Sequence, residues 1–571
     1  MAGAAREPAT IRGAGAPAPP DALGDLDPAG LIPALGQVVS ALVRDPAKAA
    51  PALFGYLADA PRSAASAVLR GLGQDAEGAL PAGKGDRRYA DPSWQQHPAY
   101  WLLRQQHGLL ERLALQLVDA AGVDEPVRRK ASFLVRQLVS ASAPTNFLLT
   151  NPAALKAAYE SGGRSLLDGA RNFLRDLTQN QGRPRQVVPG ALQVGRDLAN
   201  TPGKVVFRNE LMELLQYEPQ TETVHEVPLL FSPPWINKYY LLDLAPGRSL
   251  VEWAVRQGHT VFVISYRNPD TTMSGVSLDD YLVNGPQAAL DVIQDITGAG
   301  KVNILGLCLG GTLTAATVAY LAAVGDERLN SVTLLNTLLD FSEPGDLGIF
   351  TDEKTVSRLE KTMRKEGFLK GESMRQTFDV LRADDLVWSY AVSGWLMGQE
   401  PRAFDILSWN ADSTRMPAGM HSFYLRSCYL DNELAAGRME LAGQRLDLQR
   451  VTQDTYVVAA EQDHIAPWRS VYRGVRLLPS RKRFVLSDAG HVAGVVNPPS
   501  RSARYRVADT WDLPEDPDAW LATTTEHRRS WWEDWSPWLA DRAGTRQAPP
   551  PTGSDQHPVL GDAPGTFVLG G

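Results

Sequence analysis

Cys308 lies between glycines, in a short stretch whose pattern is typical of the turn that carries a catalytic nucleophile. The stretch GLCLGGT (306–312) follows the apolar run VNILG (302–306) and overlaps the start of a helix predicted over 312–323. Glycines on both sides of Cys308 suit a tight turn, because a side chain there would collide with neighbouring backbone. Such a turn exposes the thiol above the sheet at a helix N-terminus, where the helix dipole favours a thiolate. A buried cysteine in a glycine turn is the alternative interpretation.

An acid and a histidine follow in the order that a catalytic triad requires. Asp463 comes just after the apolar run TYVVAA (455–460), and His491 comes just after RFVLS (483–487). Each therefore lies at the carboxyl end of a predicted strand, where parallel sheets form their sites. The order nucleophile, acid, histidine is that of the α/β-hydrolase fold. We predict Cys308 as the nucleophile, His491 as the base and Asp463 as the residue that orients the base.

Neighbouring residues are rivals for these roles. His464 is adjacent to Asp463, but its place on the acid loop predicts that its side chain points elsewhere. Asp488 lies on the loop of His491 and is interpreted as a turn residue. The second cysteine, Cys428, follows an apolar aromatic run and is interpreted as structural. The other histidines lack the spacing of metal ligands, so we predict no metal site.

Two backbone N–H groups are candidates for an oxyanion hole. In the α/β-hydrolase fold one belongs to the residue after the nucleophile, here Leu309, and one to a loop after an early strand. The segment SPPWINK (232–238) follows the apolar strand VPLLF (227–231) and supplies Ile236 as the second candidate. An ordinary loop stiffened by its two prolines is the alternative.

The elements around these residues alternate between strand and helix after about residue 200. Predicted strands lie at 227–231, 259–265, 302–306, 331–336, 455–460 and 483–487. Helical segments at 248–257, 278–296 and 312–323 separate the earlier ones. This order predicts a mostly parallel sheet with helices on both faces. The rhythm breaks at about 338–430, which we interpret as an inserted cap over the mouth of the site.

Composition narrows the class of protein. The 571 residues are 44% hydrophobic and carry a net charge of −8, which argues against a nucleic-acid partner. Two cysteines are too few for a disulfide framework and suit a reducing compartment. The N-terminus lacks the apolar core of a secretory signal. The uncharged stretch 302–325 is long enough to span a bilayer, but its internal glycines predict a buried strand, turn and helix rather than a transmembrane segment.

Four regions follow from these patterns. Residues 1–90 are predicted to form an Ala/Pro-rich mobile arm with short helices near 31–43 and 50–72. A helical N-terminal domain at 91–200, a catalytic domain at 201–540 and an irregular tail at 541–571 complete the chain. The tryptophans of SWWEDWSPW (530–538) are interpreted as packing a C-terminal helix on the core, with an apolar surface that meets polymer as the alternative.

A thiol at the nucleophile position points to acyl transfer from a thioester. A cysteine exchanges with a thioester at almost no free-energy change, and the acyl-cysteine stays activated. Transfer to a hydroxyl then runs downhill, whereas a serine would reach the stable oxyester one step too early. His491 would take the proton first from the thiol and then from the attacking hydroxyl.

Nine stretches of the chain resemble the class I polyhydroxyalkanoate synthases, which polymerise 3-hydroxyacyl-CoA. They are DRRYADPSW (86–94), FLLTNPAAL (147–155), PPWINKYYLLDLAP (233–246), VFVISYRNPD (261–270), GLCLGGT (306–312), EQDHIAPW (461–468), GHVAGVVNPP (490–499), SWWEDW (530–535) and APGT (563–566). The resemblance covers about residues 86–568 in the same order. Tyr266 departs from the tryptophan often found in the family, and the arm before residue 86 has no clear counterpart.

The resemblance implies a fold, an activity and partners. It implies a helical N-terminal region before a capped α/β-hydrolase core, with the roles of nucleophile, acid and base on Cys308, Asp463 and His491. It implies a 3-hydroxyacyl-CoA substrate, a growing polyester chain, CoA as leaving group and no metal or redox cofactor. It further implies a homodimer in the cytoplasm at the surface of polyester granules, with granule-associated proteins as further partners.

Two other hypotheses remain open at the level of sequence. One is a cysteine-type α/β-hydrolase, a thioesterase or esterase, which needs no long helical region before its core. The other is a non-catalytic granule-binding protein, against which the intact set of Cys308, Asp463 and His491 argues.

Overall fold

The computed structural model describes residues 28–81 and 86–570, which form two compact units. The first unit runs up to Arg185 and includes Val387–Gln399, and the second comprises Gln186–Leu386 and the residues from Glu400 onward. The candidate site residues all belong to the second unit. Residues 1–27 of the predicted arm lie outside the described residues.

The described residues contain nineteen α-helices. The first seven, α1 to α7, are Pro28–Arg44, Ala50–Gly71, Ser93–Gln96, Pro98–Ala120, Glu125–Ala141, Pro152–Glu160 and Arg164–Gln179. The later twelve, α8 to α19, are Leu250–Arg256, Leu278–Leu282, Ala288–Thr297, Leu309–Val324, Glu353–Glu366, Gly371–Leu381, Ser389–Ala391, Asp405–Ala411, Ala418–Tyr424, Trp468–Val475, Pro517–Ala522 and Trp532–Ala540.

Helices α1 and α2 occupy the part of the predicted arm that the structure describes. Ala34 and Val38 of α1 form a buried cluster with Val118 of α4 and with Ala131 and Val135 of α5. The structure therefore does not separate an arm from a helical domain at residue 90, because α1, α4 and α5 share one core. Alanines form part of this core. The Ala/Pro-rich composition, from which a mobile arm was predicted, therefore did not indicate that α1 packs against other helices.

An eleven-stranded sheet lies at the centre of the second unit as described. Its strands β1 to β11 are Gly203–Arg208, Met212–Tyr217, Leu229–Ser232, Val261–Tyr266, Val302–Leu307, Leu329–Leu335, Asp454–Ala460, Lys482–Ser487, Tyr505–Val507, Thr525–His527 and Gly561–Asp562. Their spatial order is β10-β9-β8-β7-β6-β5-β3-β4-β2-β1-β11. The six strands from β8 to β4 in this order run parallel, and the pairs outside them are antiparallel.

Both faces of the central strands are buried. In β4, Phe262 and Ile264 belong to one core cluster, whereas Val261 and Val263 belong to the other. Successive side chains of a strand point to opposite faces, so a doubly covered sheet needs apolar residues at every position. Helices α9 to α11 contribute to the first cluster, and α8 and α19 contribute to the second. The α/β-hydrolase architecture predicted from the sequence is confirmed.

The uncharged stretch 302–325 forms β5, a turn and α11, as the sequence predicts. Nearly every residue of α11 is buried, which explains its lack of charge. Within the described ranges, no helix is both long and apolar enough to cross a membrane.

The tryptophans at 530–538 pack inward, which confirms the core interpretation over the surface interpretation. Trp531 and Trp532 are 0% and 1% exposed. The indole N–H of Trp531 donates to the carbonyl of Gly494 (2.8 Å), and that of Trp532 donates to the carbonyl of Val495 (3.1 Å). Since these carbonyls follow His491 in the chain, this tryptophan-rich segment also holds the histidine loop.

A buried carboxylate links α19 to the sheet. Asp534 accepts hydrogen bonds from Tyr456 of β7 (2.8 Å), from Arg483 of β8 (2.6 and 2.8 Å) and from Tyr505 of β9 (3.3 Å). Burial, the largest influence, raises the pKa of Asp534, but the Arg483 guanidinium and the Tyr456 and Tyr505 hydroxyls together bring it below the ordinary value of 3.8. The ionised form of Asp534 therefore stabilises the folded state.

We predict that Asp534→Asn lowers the free energy of unfolding by about 3–5 kcal/mol, because it leaves Arg483 half-buried without a charged partner. A depressed carboxyl pKa gives stability that is present above the unfolded value and is lost as pH falls through the folded value. The difference between wild type and variant should thus be constant near neutral pH and shrink below pH 3.8. Urea unfolding followed by circular dichroism measures it.

Asp518→Asn is the matched control. Asp518 pairs with Arg469, but both side chains are about half exposed, so removal should cost under about 1 kcal/mol at any pH. An equal cost for the two variants would contradict the importance assigned to Asp534.

Candidate active site

Cys308 occupies a strained turn between β5 and α11. Its backbone has φ 51° and ψ −117°, a positive φ that residues other than glycine rarely adopt. Its N–H donates to the carbonyl of Leu335 in β6 (2.8 Å), and its own carbonyl accepts the N–H groups of Gly311 and Thr312 (2.9 and 3.1 Å). The neighbouring strand and the first turn of α11 thus hold the strained conformation in place.

Two glycines allow the turn to pack closely. A Cβ on Gly306 would lie 2.5 Å from the Cα of Gly311, and a Cβ on Gly310 would lie 2.5 Å from the carbonyl oxygen of Pro233. Both distances are too short for real contacts, as the sequence analysis expected for this turn. The second contact also shows that the loop after β3 packs directly against the cysteine turn.

The side chains of Asp463 and His491 meet beside Cys308. One carboxylate oxygen of Asp463 lies 2.6 Å from Nδ1 of His491, and the other accepts the N–H groups of Ile465 and Ala466 (2.8 and 2.9 Å). The thiol of Cys308 lies close enough to the imidazole of His491 to influence its pKa. Because Nδ1 faces the carboxylate, Nε2 is the nitrogen left for the thiol.

The surroundings of His491 favour its protonated form. Burial, the largest influence, lowers the pKa of the imidazole, but the Asp463 carboxylate and the Cys308 thiol together raise that pKa well above 6.5. The side chain of Asp463 is fully buried and that of His491 is 12% exposed, so water screens their interaction weakly. The site can therefore stabilise a protonated imidazole at His491.

Among the described residues, the side chains of the rival residues form no hydrogen bond with Asp463 or His491. His464 has a ring Nδ1 that is buried without a hydrogen-bond partner among the described residues, and burial lowers the pKa of its imidazole to about 4. Burial raises the pKa of the Asp488 carboxyl. Asp488 directly follows β8, and its N–H donates to the main-chain carbonyl of Arg504. Cys428 is 1% exposed, and burial raises the pKa of its thiol far above the ordinary range.

Aromatic residues that the sequence analysis did not single out lie close to the thiol. Tyr424 and Tyr429 pack edge to face with ring centroids 5.5 Å apart, and Phe341 packs against Tyr429 at 5.1 Å. Burial raises the pKa of Tyr424 well above its usual range, and charge at Cys308 adds to the effect. These residues come from the segment predicted as a cap, whose sequence gives no signal for which aromatic side chains point inward.

Asn336 is a further residue that the sequence analysis missed. It follows β6 with φ 45°, is fully buried, and donates from Nδ2 to the main-chain carbonyl of His491 (2.6 Å). Its N–H donates to Val458 of β7 (2.8 Å). A polar residue directly after an apolar strand was the signal used for Asp463 and His491, and the same signal would have found Asn336.

The two candidate oxyanion donors lie on elements that touch. Leu309 is the first residue of α11, so its N–H has no acceptor within the helix. Ile236 lies in the half-buried turn of the loop whose Pro233 packs on Gly310. The assignment of their N–H groups to an oxyanion stays a prediction.

We predict that iodoacetamide modifies Cys308 and spares Cys428 in the folded protein. Cys308 is partly exposed and lies beside the imidazole of His491, whereas Cys428 is buried and its thiol pKa is raised by burial, which keeps it protonated. Peptide mass spectrometry after brief labelling identifies the alkylated residue. Cys428→Ala should leave the labelling unchanged and Cys308→Ala should abolish it. Comparable labelling of both thiols would contradict the described burial.

Comparisons with known proteins agree with this architecture. Residues 85–254 match a family described as poly-beta-hydroxybutyrate polymerase (PhaC) N-terminus, and residues 240–498 match the alpha/beta hydrolase fold. The chain is 43% identical over 537 residues to a poly(3-hydroxyalkanoate) polymerase of Methylorubrum extorquens, covering 94% of this chain and 89% of that protein. It is 44% identical over 490 residues to the poly(3-hydroxyalkanoate) polymerase subunit PhaC of Cupriavidus necator, covering 85% of this chain and 83% of that protein. On this identity and coverage, the chain belongs to the poly(3-hydroxyalkanoate) polymerase family.

Proposed function

We propose that the protein is a polyhydroxyalkanoate synthase that polymerises 3-hydroxyacyl-CoA thioesters through an acyl-cysteine at Cys308 and releases CoA. The observation that carries this proposal is the partly exposed thiol of Cys308, which lies in a strained turn beside an imidazole that Asp463 holds at 2.6 Å. Family membership supplies the substrate class, since the named relatives are poly(3-hydroxyalkanoate) polymerases.

The first step is acylation of the cysteine. His491 accepts the thiol proton, and the sulfur of Cys308 attacks the thioester carbonyl to form a tetrahedral intermediate. Collapse breaks the bond to the CoA sulfur, which leaves with the proton returned by His491. The N–H groups of Leu309 and Ile236 are the proposed donors to the oxyanion.

The second step transfers the acyl group to a hydroxyl. The 3-hydroxyl of another acyl group attacks the acyl-cysteine while His491 removes its proton. The new ester bond forms as the bond to Cys308 breaks, and the thiol regains the proton. In both steps Asp463 holds His491 by the hydrogen bond at Nδ1. Nε2 is then free to exchange a proton with the thiol and with the hydroxyl. The cycle uses no metal or redox cofactor.

The aromatic side chains beside the thiol favour this proposal over a hydrolase. A thioesterase must admit water to the acyl-cysteine, whereas a polymerase must admit a hydroxyacyl chain and exclude water. Tyr424 is 4% exposed and packs with Tyr429 and Phe341 on the Cys308 side of the cap segment. Such packing leaves little room for free water beside the thiol, as a polymerase requires.

The first unit is the proposed contact with the granule and with a second subunit. It carries several large apolar side chains that are mostly exposed: Phe54 (70%), Leu149 (81%), Leu167 (63%) and Leu174 (58%). Apolar surface of this kind marks sites of protein or lipid-like contact. We propose a homodimer that works in the cytoplasm at the granule surface, where granule-associated proteins are further partners.

We predict that the purified protein incubated with 3-hydroxybutyryl-CoA releases CoA and forms insoluble polyester. Cys308→Ala should abolish both products, because the proposed mechanism holds the acyl chain on the sulfur of Cys308. Thiol titration follows CoA, and gas chromatography after methanolysis separates polyester from free acid.

Other outcomes distinguish the hypotheses. Free 3-hydroxybutyrate without polymer would favour the thioesterase. CoA release that survives Cys308→Ala would exclude the cysteine turn as the active site, and absence of release with short and longer acyl chains alike would favour a binding role.

We predict that Asp463→Asn lowers the rate of polymer formation by about 10²–10⁴-fold, since His491 loses its orientation and its charge partner. Asp488→Asn is the control on the histidine loop and should leave the rate within about threefold, because surface-type substitutions away from a site have small effects. Initial rates of CoA release compare the two. A larger loss for Asp488→Asn would exchange the proposed roles.

A further inference from the structure

A buried lysine ends the loop that carries Ile236. Lys238 is 6% exposed, and its ammonium donates to the main-chain carbonyl of Val568 at 2.5 Å. The nearest carboxylate oxygen, on Asp412, lies 3.7 Å away and belongs to a partly exposed side chain. Burial lowers the pKa of Lys238 and the Asp412 carboxylate opposes this. Burying an ammonium whose nearest carboxylate oxygen is 3.7 Å away costs folding free energy, which suggests that the contacts of Lys238 have a function.

The acceptor belongs to a segment that is itself firmly held. Residues 561–570, here called the terminal strap, begin as β11 on the edge of the sheet. The carboxylate of Glu213, which is fully buried in β2, accepts the N–H groups of Thr566 (2.9 Å) and Phe567 (3.0 Å). Val568 is 2% exposed. The strap therefore offers Lys238 a fixed carbonyl.

On the side of the predicted cap, residues 409–414 form hydrogen bonds with the backbone of the loop. The indole N–H of Trp409 donates to the carbonyl of Lys238 (2.8 Å), and the hydroxyl of Thr414 donates to the carbonyl of Trp235 (3.1 Å). Asn237 forms a β-bridge with Ser413. The Lys238 side chain adds the connection to the terminal strap, which is distant in sequence from both the loop and the cap.

The opposite side of the loop rests on the cysteine turn. Gly310 leaves no room for a Cβ against the carbonyls of Ser232 and Pro233. A shift of the loop therefore changes its position relative to Cys308. An oxyanion donor must lie at about 2.7–3.1 Å from the developing charge, so small shifts matter.

We propose that Lys238 is a positioning residue that ties the 233–238 loop to the terminal strap and so fixes the Ile236 N–H toward the oxyanion formed at Cys308. This inference rests on the proposed function, because it assumes acylation of Cys308. It assigns the terminal strap a part in catalysis through Lys238, although the strap supplies no reacting group.

The test compares Lys238→Met with Lys482→Met. Lys482 is a matched control, since its ammonium also donates to main-chain carbonyls, those of Leu478 and Ser480, and burial also lowers its pKa. Single-turnover CoA release from 3-hydroxybutyryl-CoA measures acylation, which forms an oxyanion. Alkylation by iodoacetamide measures access to the Cys308 thiol without forming one.

Lys238→Met should slow CoA release by about 10- to 100-fold and change alkylation by less than about twofold, since only acylation uses the oxyanion donors. Lys482→Met should change neither rate by more than about twofold. Equal slowing of acylation and alkylation would overturn the proposal in favour of a general structural role, as would an unchanged rate of acylation.

Val568→Ala provides a second route to the same contact. It loosens the strap at its buried position, and its effect on acylation should be less than additive with that of Lys238→Met, because both act on one connection. Fully additive losses would overturn the proposed connection.

Amide hydrogen exchange separates this inference from the proposed function. Exchange in the 233–242 segment should accelerate in Lys238→Met and stay unchanged in Lys482→Met, whether or not the protein acts on 3-hydroxybutyryl-CoA. Absence of CoA release in wild type would contradict the proposed function, and unchanged exchange would contradict the role of Lys238.

Discussion

The hydrogen bond between Asp463 and His491 joins two loops that leave the sheet at neighbouring strands, β7 and β8. These strands are parallel and in register up to the pair Ala460 and Ser487, so the two loops begin side by side. Cys308 follows β5, which lies three strands away from β8 in the order β8-β7-β6-β5. At about 4.8 Å per strand, roughly 14 Å separates the two starting points. The histidine loop must therefore cross back over β7 and β6 to reach the thiol.

Three buried side chains from different parts of the chain donate hydrogen bonds to the histidine loop where it crosses the sheet. Asn336 follows the intervening strand β6 and donates to the carbonyl of His491, while Trp531 and Trp532 donate to the carbonyls of Gly494 and Val495. Each of these carbonyls belongs to a segment without regular structure, which would otherwise bury polar groups without partners. The tryptophan-rich segment next to α19 thus contributes to the position of His491 as well as to the core.

Much of this arrangement is predictable from sequence because short apolar runs mark the parallel strands and polar residues mark their carboxyl ends. The segments 302–306, 331–336, 455–460 and 483–487 coincide with β5 to β8 to within two residues. The sequence analysis did not predict the antiparallel strands β1, β2, β9, β10 and β11. The last three have only two or three residues each, and β1 and β2 contain polar residues such as Arg208 and Glu213, which hydrogen-bond each other. Asn336 also lies at the carboxyl end of an apolar run, but the sequence does not show that its side chain donates to the carbonyl of His491. The tail at 541–571 was predicted as irregular, but its terminal strap pairs with the sheet through β11 and contacts Glu213 and Lys238. These contacts were not predicted, since they depend on residues far apart in sequence.

In the mechanism that we propose, the choice between hydroxyl and water as acyl acceptor depends on which of them reaches the acyl-cysteine, and the identity of the nucleophile does not decide it. An acyl-cysteine is activated toward both, and water at its bulk concentration would win if both reached it equally. The imidazole can deprotonate either acceptor, so the pair of His491 and Asp463 does not discriminate between them. In that mechanism, discrimination must come from the packing beside the thiol, where buried Tyr424 and its neighbour Tyr429 limit the access of water to Cys308. A chain held there brings its terminal hydroxyl to the acyl-cysteine at a high effective concentration. Under the proposed mechanism, contacts that bind the product would therefore favour its elongation over its hydrolysis.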